Sequence, residues 1–445
     1  MIRAMFDLIV RGGVVVSSLG SSTNDIGIAG NKIQAVGDLS GKVAQVVLDA
    51  QGLHVLPGAI DTQVHFREPG LTHKEDIAHG SAAAVMGGVT TYLEMPNTVP
   101  QTISEETLAA KLAIARRDSW ANYGFFIGAS RENLESLSDL EILPGTPGIK
   151  IFAGSSTGSL LVDDEASLRT VLFAGRRPCP IHSEDEARLR ERRSMLSGDP
   201  SVAEHPHLRD AEAARISTER MIRLSKETGR PVHILHVSTL DELPLIADAK
   251  RRGLAVTCEV TPQHLTFSSG DYATYGTKIQ MNPPIRSSEH RDALWGAVEE
   301  GLIDVFGSDH APHTIEEKAR PYPDSPSGMP GVQTMLPVLL NFVTVGRLSV
   351  EKIVKMLCER PAELYGIKDK GRISVGFDAD LSIVDMGSKF KVSPEWLKSK
   401  CGWSPFEGRV MCGRPVHTIV NGAVTVRDSE LSGRPRGSEV AYDWK

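Results

Sequence analysis

Five side chains that can help to bind a divalent metal ion lie within or at the end of short apolar runs of the sequence: His65, Lys150, His182, His236 and Asp309. Imidazole and carboxylate groups are common ligands of zinc and its neighbours. A charged lysine would repel a cation, but a neutral lysine can react with carbon dioxide to give an anionic carbamate that bridges two metal ions. A single histidine at a strand end is usually an ordinary polar residue, and a single lysine usually reaches the surface. Five such residues on five runs indicate a metal site.

The elements that would position these residues alternate along the middle of the chain. Helical segments such as 74–86, 104–117, 207–228 and 239–252 separate most of the apolar runs. Eight runs, mostly without alternating polarity, predict strands buried on both faces: 58–64, 89–95, 121–127, 148–152, 178–182, 231–237, 254–260 and 303–308. Eight strand–helix units predict an α/β fold, the (β/α)8 TIM barrel. Because the C-terminal strand ends of such a barrel form one rim, the five predicted ligands would converge there.

The two ends of the chain have a different character from the middle. Short β-rich runs separated by Gly, Ser and Asn fill the first 55 residues, and similar runs return near the C-terminus, with Asn421-Gly422 as a hairpin turn signal. This pattern predicts a small composite β-sandwich domain from residues 1–56 and 366–445, and a barrel from residues 57–365.

Composition and charge narrow the classes of protein. The chain has 445 residues and a net charge of −7, which argues against a dedicated nucleic-acid-binding protein. No run of 18 apolar residues occurs, so a membrane partner is not expected. The five cysteines are odd in number and form no Cys-x-x-Cys pair, which argues against a disulfide scaffold and favours a cytoplasmic location.

Nine motifs now carry a resemblance to a known family. They are DTQVHFREPG at 61–70, MPNT at 95–98, HSE at 182–184, HVS at 236–238, EVTPQHL at 259–265, NPPIR at 282–286, SDHAPH at 308–313, GMPGVQT at 328–334 and DADL at 378–381. With these motifs the chain resembles the amidohydrolase superfamily and, among its cyclic amidohydrolases, the dihydroorotases. The resemblance covers nearly the whole sequence.

The resemblance implies a metal centre. His65 and Asp309 would bind the more buried ion, His182 and His236 would bind a second ion, and carboxylated Lys150 would bridge the two. The implied cofactor is zinc, with one or two ions per subunit.

The resemblance also implies a substrate and a reaction. Arg67, Asn97 and His313 would hold a substrate carboxylate, and Asn282 would contact the ring. The small-molecule reaction would be the reversible hydrolysis of dihydroorotate to N-carbamoyl-L-aspartate in de novo pyrimidine biosynthesis. A metal-bound hydroxide would attack the ring amide, with Asp309 as acid and base. A homodimer or higher homo-oligomer is expected.

Two alternatives stay open. Another cyclic amidase, such as an allantoinase or a hydantoinase (dihydropyrimidinase), would share the metal ligands but usually lacks the Arg-Glu-Pro-Gly run that this chain has at 67–70. A noncatalytic dihydroorotase-like partner of another enzyme would have lost ligands. The structural alternative for Arg67 is a surface ion pair with Glu68 or Asp76.

One residue departs from the family pattern. The usual first-strand motif is His-x-His, whereas this chain has Gln63-Val64-His65. An amide oxygen donates more weakly than imidazole, so Gln63 is a doubtful ligand. Farther along, the proline-rich loop at 312–331 is long enough to predict a lid that borders the active-site mouth.

Overall fold

The computed structural model describes residues 6–156 and 160–444. Residues 1–5 and 445, at the ends of the predicted terminal domain, lie outside the described residues, as do residues 157–159. The helices in the described part of the chain are all too short or too polar to cross a membrane.

The chain begins with five strands: β1 Phe6–Ser17, β2 Gly20–Ala29, β3 Lys32–Gly37, β4 Ala44–Asp49 and β5 His54–Pro57. β1 lies at their centre. It pairs antiparallel with β2 and parallel with both β4 and β5. A register shift between Val10 and Gly13 divides β1, so that its first half pairs with β4 and its second half with β5.

The barrel strands follow: β6 Ala59–Val64, β7 Val89–Glu94, β8 Asn122–Phe125, β9 Ile127–Gly128, β10 Ile149–Phe152, β11 Cys179–His182, β12 Val232–Ile234, β13 Val256–Val260 and β14 Val305–Phe306. β8 and β9 are separated by one residue and correspond to a single predicted strand. Parallel pairing runs from β6 to β8 and from β9 to β14. The His65 amide, just after β6, donates to the His310 carbonyl at 2.7 Å and closes the ring. The predicted eight-stranded barrel is confirmed.

Helices connect these strands and cover them. Several begin at a side-chain cap that accepts from the first turn, as Asp76, Ser104 and Asp210 do. The helices are α1 Ile77–Met86, α2 Glu105–Asp118, α3 Leu137–Glu141, α4 Glu165–Phe173, α5 Glu186–Ser194, α6 His205–Leu208, α7 Ala211–Thr228, α8 Leu243–Arg251, α9 Pro262–Thr266, α10 Tyr272–Tyr275, α11 Ser288–Glu299, α12 Ile315–Lys318, α13 Met335–Thr344, α14 Val350–Val354 and α15 Arg360–Leu364. Short 3₁₀ turns lie at Val202–Glu204, Ser269–Asp271 and Gly276–Ile279, and a π-helical turn at Lys355–Glu359.

The last strands return to the first sheet. They are β15 Leu381–Lys391, β16 Val410–Val420, β17 Ala423–Arg427 and β18 Glu430–Leu431. β15 pairs antiparallel with β5, so strands from both ends of the chain form one sheet. Apolar side chains from both halves of this sheet share one core, including Leu8, Val10, Ile26, Ile28, Leu381, Ile383 and Ile419. This arrangement agrees with the predicted β-sandwich domain.

Two stretches of the predicted terminal segment 366–445 leave this domain. Residues 392–409 pack over the barrel rim, where Trp403 Nε1 donates to the His313 carbonyl at 2.8 Å. Near the C-terminus, the Val440 amide donates to the Tyr123 carbonyl of β8 at 2.9 Å. Both stretches bury large apolar side chains against the barrel. We therefore propose a composite terminal domain from residues 1–56 and 366–445, except that residues 392–409 and the stretch around Val440 belong to the barrel.

Candidate active site

All five predicted ligands line one cavity at the C-terminal rim of the barrel. Its empty volume is about 340 Å³. β10 and β11 supply two of the five, and the other three follow β6, β12 and β14. The cavity is lined by Gln63, His65, Arg67, Lys150, Phe152, Ser156, His182, His236, Asn282, Asp309, Ala311, Ser327 and Gly328.

His182 and His236 form a close pair in the cavity wall. His182 Nδ1 lies 3.1 Å from His236 Nε2, and the two rings are nearly perpendicular. On its other side, His182 Nε2 lies 2.9 Å from a carboxylate oxygen of Glu184. Burial opposes ionisation of Glu184, but the guanidinium of Arg209 and the His182 ring outweigh burial and hold the pKa of Glu184 below its usual range. Because Glu184 contacts Nε2 of His182, the other ring nitrogen, Nδ1, faces His236.

Lys150 lies in the barrel interior, and no acidic side chain in the described part of the chain forms an ion pair with it. Its side chain is fully buried, and its Nζ atom has no hydrogen-bond partner among the described residues. Nζ lies 4.6 Å from the centre of the Phe152 ring. Burial lowers the pKa of Lys150 to about 7, although Asp309 and Glu259 oppose this shift. The amine is therefore readily available in its neutral form, which is the form that reacts with carbon dioxide.

His65, Asp309 and Gln63 form the second group of donors. His65 Nε2 lies 3.3 Å from Asp309 Oδ1, and the other ring nitrogen, Nδ1, lies 2.7 Å from Asn97 Oδ1. Gln63 Nε2 donates to the same Asp309 oxygen at 3.1 Å. Burial raises the pKa of Asp309 to about 7. The buried Oε1 atom of Gln63 has no hydrogen-bond partner within the described part of the chain.

These side chains can bind a divalent cation only if Lys150 or Gln63 joins the histidine and aspartate ligands. Across the described ranges, His, Cys, Asp and Glu side chains alone form no group of three or more that could hold a metal ion. A site here needs Lys150 or Gln63 as a further ligand, and both carry a buried polar atom without a partner. Such atoms are costly unless something binds them. The residues present therefore fit a metal centre in which Lys150 takes part as an anion.

Arg67 lies beside this cluster and is almost completely buried, with 1% of its surface exposed. Its Nε donates to the Pro312 carbonyl at 3.1 Å, and a terminal nitrogen lies 3.4 Å from His313 Nε2. The other terminal nitrogen is buried and has no partner among the residues described. The described chain shows no ion pair from Arg67 to Glu68 or Asp76, so the surface ion pair considered above is not present.

The other three predicted substrate-binding residues divide into two positions. Asn282 lines the cavity. Asn97 and His313 lie behind the wall, where Asn97 contacts His65 and His313 contacts Arg67. His313 is held there by Lys74, whose Nζ lies 3.1 Å from Nδ1, and by the Ser327 carbonyl, which accepts from Nε2 at 3.1 Å. Asn97 and His313 thus contact His65 and Arg67 and do not line the cavity, and their predicted role in binding the substrate carboxylate stays a prediction.

The loop at 312–331 borders the cavity mouth, as predicted. Ser327 and Gly328 form part of the wall. The side chain of Lys318, buried under the loop, donates to the carbonyls of Gln280 at 3.1 Å and Pro326 at 2.7 Å. These contacts attach the loop to the segment that leads to Asn282.

Sequence reasoning missed several residues that support the site. Glu184 had a signal, because it stands two positions after a predicted ligand in the HSE motif. Arg209, His205 and Lys318 had none, because each lies far along the chain from the group it contacts. Only the folded chain shows their roles.

Comparisons with known proteins identify the family of the chain. The family model described as "Amidohydrolase family" matches residues 54–234 and 207–425. A dihydroorotase of Methanothermobacter thermautotrophicus is 36% identical over 99% of each chain, and one of Halobacterium salinarum is 38% identical over 94% of this chain and 96% of its own. The solved L-hydantoinase (dihydropyrimidinase) from Arthrobacter aurescens has a TM-score of 0.93 and 31% identity, covering 98% of this chain and 100% of that one.

The chain belongs to the amidohydrolase family and is an enzyme of that family. Amidohydrolases are generally metal-dependent, which agrees with the donor set at the rim. Within the family, the two sequence relatives named above are both dihydroorotases.

Proposed function

We propose that the chain is a dihydroorotase, which interconverts dihydroorotate and N-carbamoyl-L-aspartate in de novo pyrimidine biosynthesis. The observation that carries this proposal is the buried terminal nitrogen of Arg67, which has no partner within the described chain. A buried charged donor without a partner is costly, and a carboxylate is its natural acceptor. Dihydroorotate carries a ring carboxylate that would satisfy this donor.

The metal centre that we propose holds one or two zinc ions. His65 and Asp309 would hold one ion, with the free amide oxygen of Gln63 as a weak further ligand. His182 and His236 would hold the other, and carboxylated Lys150 would bridge them. When bound, zinc lowers the pKa of water and polarises a carbonyl oxygen.

Side chains of the cavity carry out proton transfer and substrate binding. Asp309 is the acid and base of the proposed reaction, because its carboxylate is buried at the rim beside His65, with His65 Nε2 at 3.3 Å from Oδ1. In the hydrolytic direction it accepts a proton from the attacking water and passes it to the ring nitrogen that leaves. Arg67 holds the ring carboxylate, and Asn282, which also lines the cavity, contacts the ring.

Two other functions agree less well with the cavity. Hydantoin, dihydrouracil and allantoin lack the ring carboxylate, so a hydantoinase or allantoinase activity would leave the free nitrogen of Arg67 unpaired. A noncatalytic role would be expected after several ligands had been lost, whereas this chain keeps His65, Lys150, His182, His236 and Asp309.

The test is a hydrolysis assay on the purified protein, with metal content measured on the same sample. Dihydroorotate, hydantoin, dihydrouracil and allantoin are compared at equal concentrations. We expect dihydroorotate to be hydrolysed fastest. Faster hydrolysis of a neutral ring would favour the other cyclic amidases, and a metal-loaded protein inactive on all four would favour the noncatalytic role.

The proposal also covers the cellular compartment and the oligomeric state of the enzyme. The five cysteines form no disulfide, which supports a reducing compartment such as the cytoplasm. We propose a homodimer or higher homo-oligomer, and light scattering on the purified protein measures its mass directly.

A further inference from the structure

His205 is a buried histidine that joins the lid loop to the cavity wall. It stands at the start of α6, outside the metal-binding strands. Its Nε2 atom lies 3.0 Å from both the Met281 carbonyl oxygen and Asn282 Oδ1. Its Nδ1 atom lies 3.2 Å from the hydroxyl of Tyr322, which belongs to the lid loop. One imidazole thus contacts a residue that lines the cavity and a residue of the loop above it.

The neighbours of His205 decide where its proton lies. A backbone carbonyl can only accept, so the nitrogen that faces Met281 O, Nε2, must carry the hydrogen. Burial, together with the charge of Arg209, lowers the pKa of His205 to about 3, which keeps the ring neutral. A neutral ring with its hydrogen on Nε2 has a lone pair on Nδ1, so the Tyr322 hydroxyl donates to it.

This arrangement also decides which end of the Asn282 amide faces the cavity. Because His205 Nε2 donates, the atom of Asn282 that it contacts must be the oxygen. The NH2 group of the amide is then directed to the substrate side. Without His205 the amide could rotate and present its oxygen to the cavity, where it would repel a carbonyl or carboxylate oxygen of the substrate.

We propose that His205 is a positioning residue that fixes the Asn282 amide as a hydrogen-bond donor to the substrate and couples this orientation to the lid through Tyr322. The proposal rests on the proposed function for the identity of the substrate, but the orientation itself follows from contacts within the chain. With the lid loop in the position seen here, the hydroxyl of Tyr322 lies within hydrogen-bond distance of His205. Closure of the lid and orientation of the amide therefore support each other.

The kinetic test uses five variants of the full-length, metal-loaded enzyme, one of which is a double variant. His205→Phe keeps an aromatic ring and removes the contacts of both ring nitrogens. We expect KM for dihydroorotate to rise about tenfold, the effect of losing one net hydrogen bond, while kcat stays within about twofold. His205→Gln retains a side-chain NH2 that can donate to Asn282, so it should recover most of the KM.

Tyr322→Phe removes only the lid hydroxyl. It should raise KM by about threefold in the parent and have no further effect in the His205→Phe background, because the two residues act through one contact chain. The matched control is the substitution His417→Phe at another buried histidine, whose Nδ1 accepts from the Asp428 amide in the terminal sheet and which does not line the cavity. Its KM should stay at the parent value even if the melting temperature falls.

Equal KM values for the parent, His205→Phe and Tyr322→Phe would overturn the proposal, as would failure of His205→Gln to recover when it is correctly folded. A second measurement does not depend on activity. Nitrogen-15 NMR of the parent should show His205 as a neutral ring with the proton on Nε2, with the signal assigned by its loss in a His205 variant. A proton on Nδ1 would overturn the proposal, whereas a parent that is inactive on dihydroorotate would overturn only the proposed function.

Discussion

At the scale of single residues, Arg67 separates the proposed substrate from neutral cyclic amides. Replacing Arg67 with Met removes the forked donor but leaves the metal ligands in place. Loss of a charge-assisted contact costs about 1.5–3 kcal/mol, so kcat/KM for dihydroorotate should fall roughly tenfold to a hundredfold. Metal analysis should give the parent value.

Arg67→Lys is the matched control for charge. It keeps a cation but loses the planar fork, so its activity should fall between those of the parent and Arg67→Met. If Arg67→Met hydrolyses dihydroorotate as well as the parent does, the carboxylate role of Arg67 is wrong.

Gln63 is the second residue that a single substitution can test. The donors near His65 include the amide of Gln63, whose oxygen donates more weakly than an imidazole nitrogen, so we expect this metal position to bind more weakly than the one at His182 and His236. Gln63→His should strengthen metal binding there by about tenfold or more, the size of effect that even supporting-ligand changes produce. Titration of the metal-free protein with zinc measures both affinities.

Gln263→His is a suitable control for this change. Gln263 is also buried, but its side chain donates to the Ser308 carbonyl at 2.9 Å and is not among the proposed ligands. Zinc affinity should not improve in that variant. Two equally tight sites in the parent would mean that Gln63 is no handicap.

At the scale of elements, the lid loop depends on Lys318. The pKa of Lys318 is about 7 because the side chain is buried. In the unfolded chain the Lys318 amine has its ordinary pKa of about 10.4. Between pH 7 and this value, the unfolded state therefore binds more protons than the folded state. The free energy of unfolding therefore gains a contribution that rises with pH across this window.

Lys318→Met keeps approximately the length of the side chain and removes the amine that titrates. We expect the rise in melting temperature between pH 7 and pH 9 to be smaller in the variant than in the parent. Hydrogen exchange of residues 312–331 should also become faster, because the variant loses the bonds to Gln280 and Pro326. Identical pH dependence in both proteins would contradict this role.

At the scale of the whole molecule, Asp380 joins the terminal sheet to the barrel. Its carboxylate accepts from Lys370 at 2.6 Å, from the Asn122 side chain of β8 at 2.9 Å and from the Asn421 amide at 2.7 Å. Asp380→Asn weakens a buried ion pair and should lower the free energy of unfolding by about 3 kcal/mol. Denaturant unfolding measures the loss.

Asp369→Asn is the matched control, because Asp369 pairs with Lys32 at the partly exposed surface. Its cost should stay within about 1 kcal/mol. KM for dihydroorotate should be unchanged in both variants, since neither residue lines the cavity. An equal loss of stability in the two variants would contradict the role of Asp380 as a buried junction.

The sequence by itself determined the barrel and its five rim residues. The apolar runs and the polar residues that end them are local patterns, and parallel strands in a barrel bring their C-terminal ends together wherever the exact boundaries fall. The signal for the lid loop was also local, because its length and its prolines lie in one continuous segment of the sequence. His65, Lys150, His182, His236 and Asp309 were found in this way.

The tertiary structure alone decided how these residues are supported. The contacts of Arg67 with Pro312, His205 with Asn282, and His205 with Tyr322 join residues 245, 77 and 117 positions apart. Residues 392–409 and the C-terminal stretch lie on the barrel because their apolar side chains find a surface there. No local pattern encodes such pairings, because they arise only when closure of the barrel brings distant segments into contact.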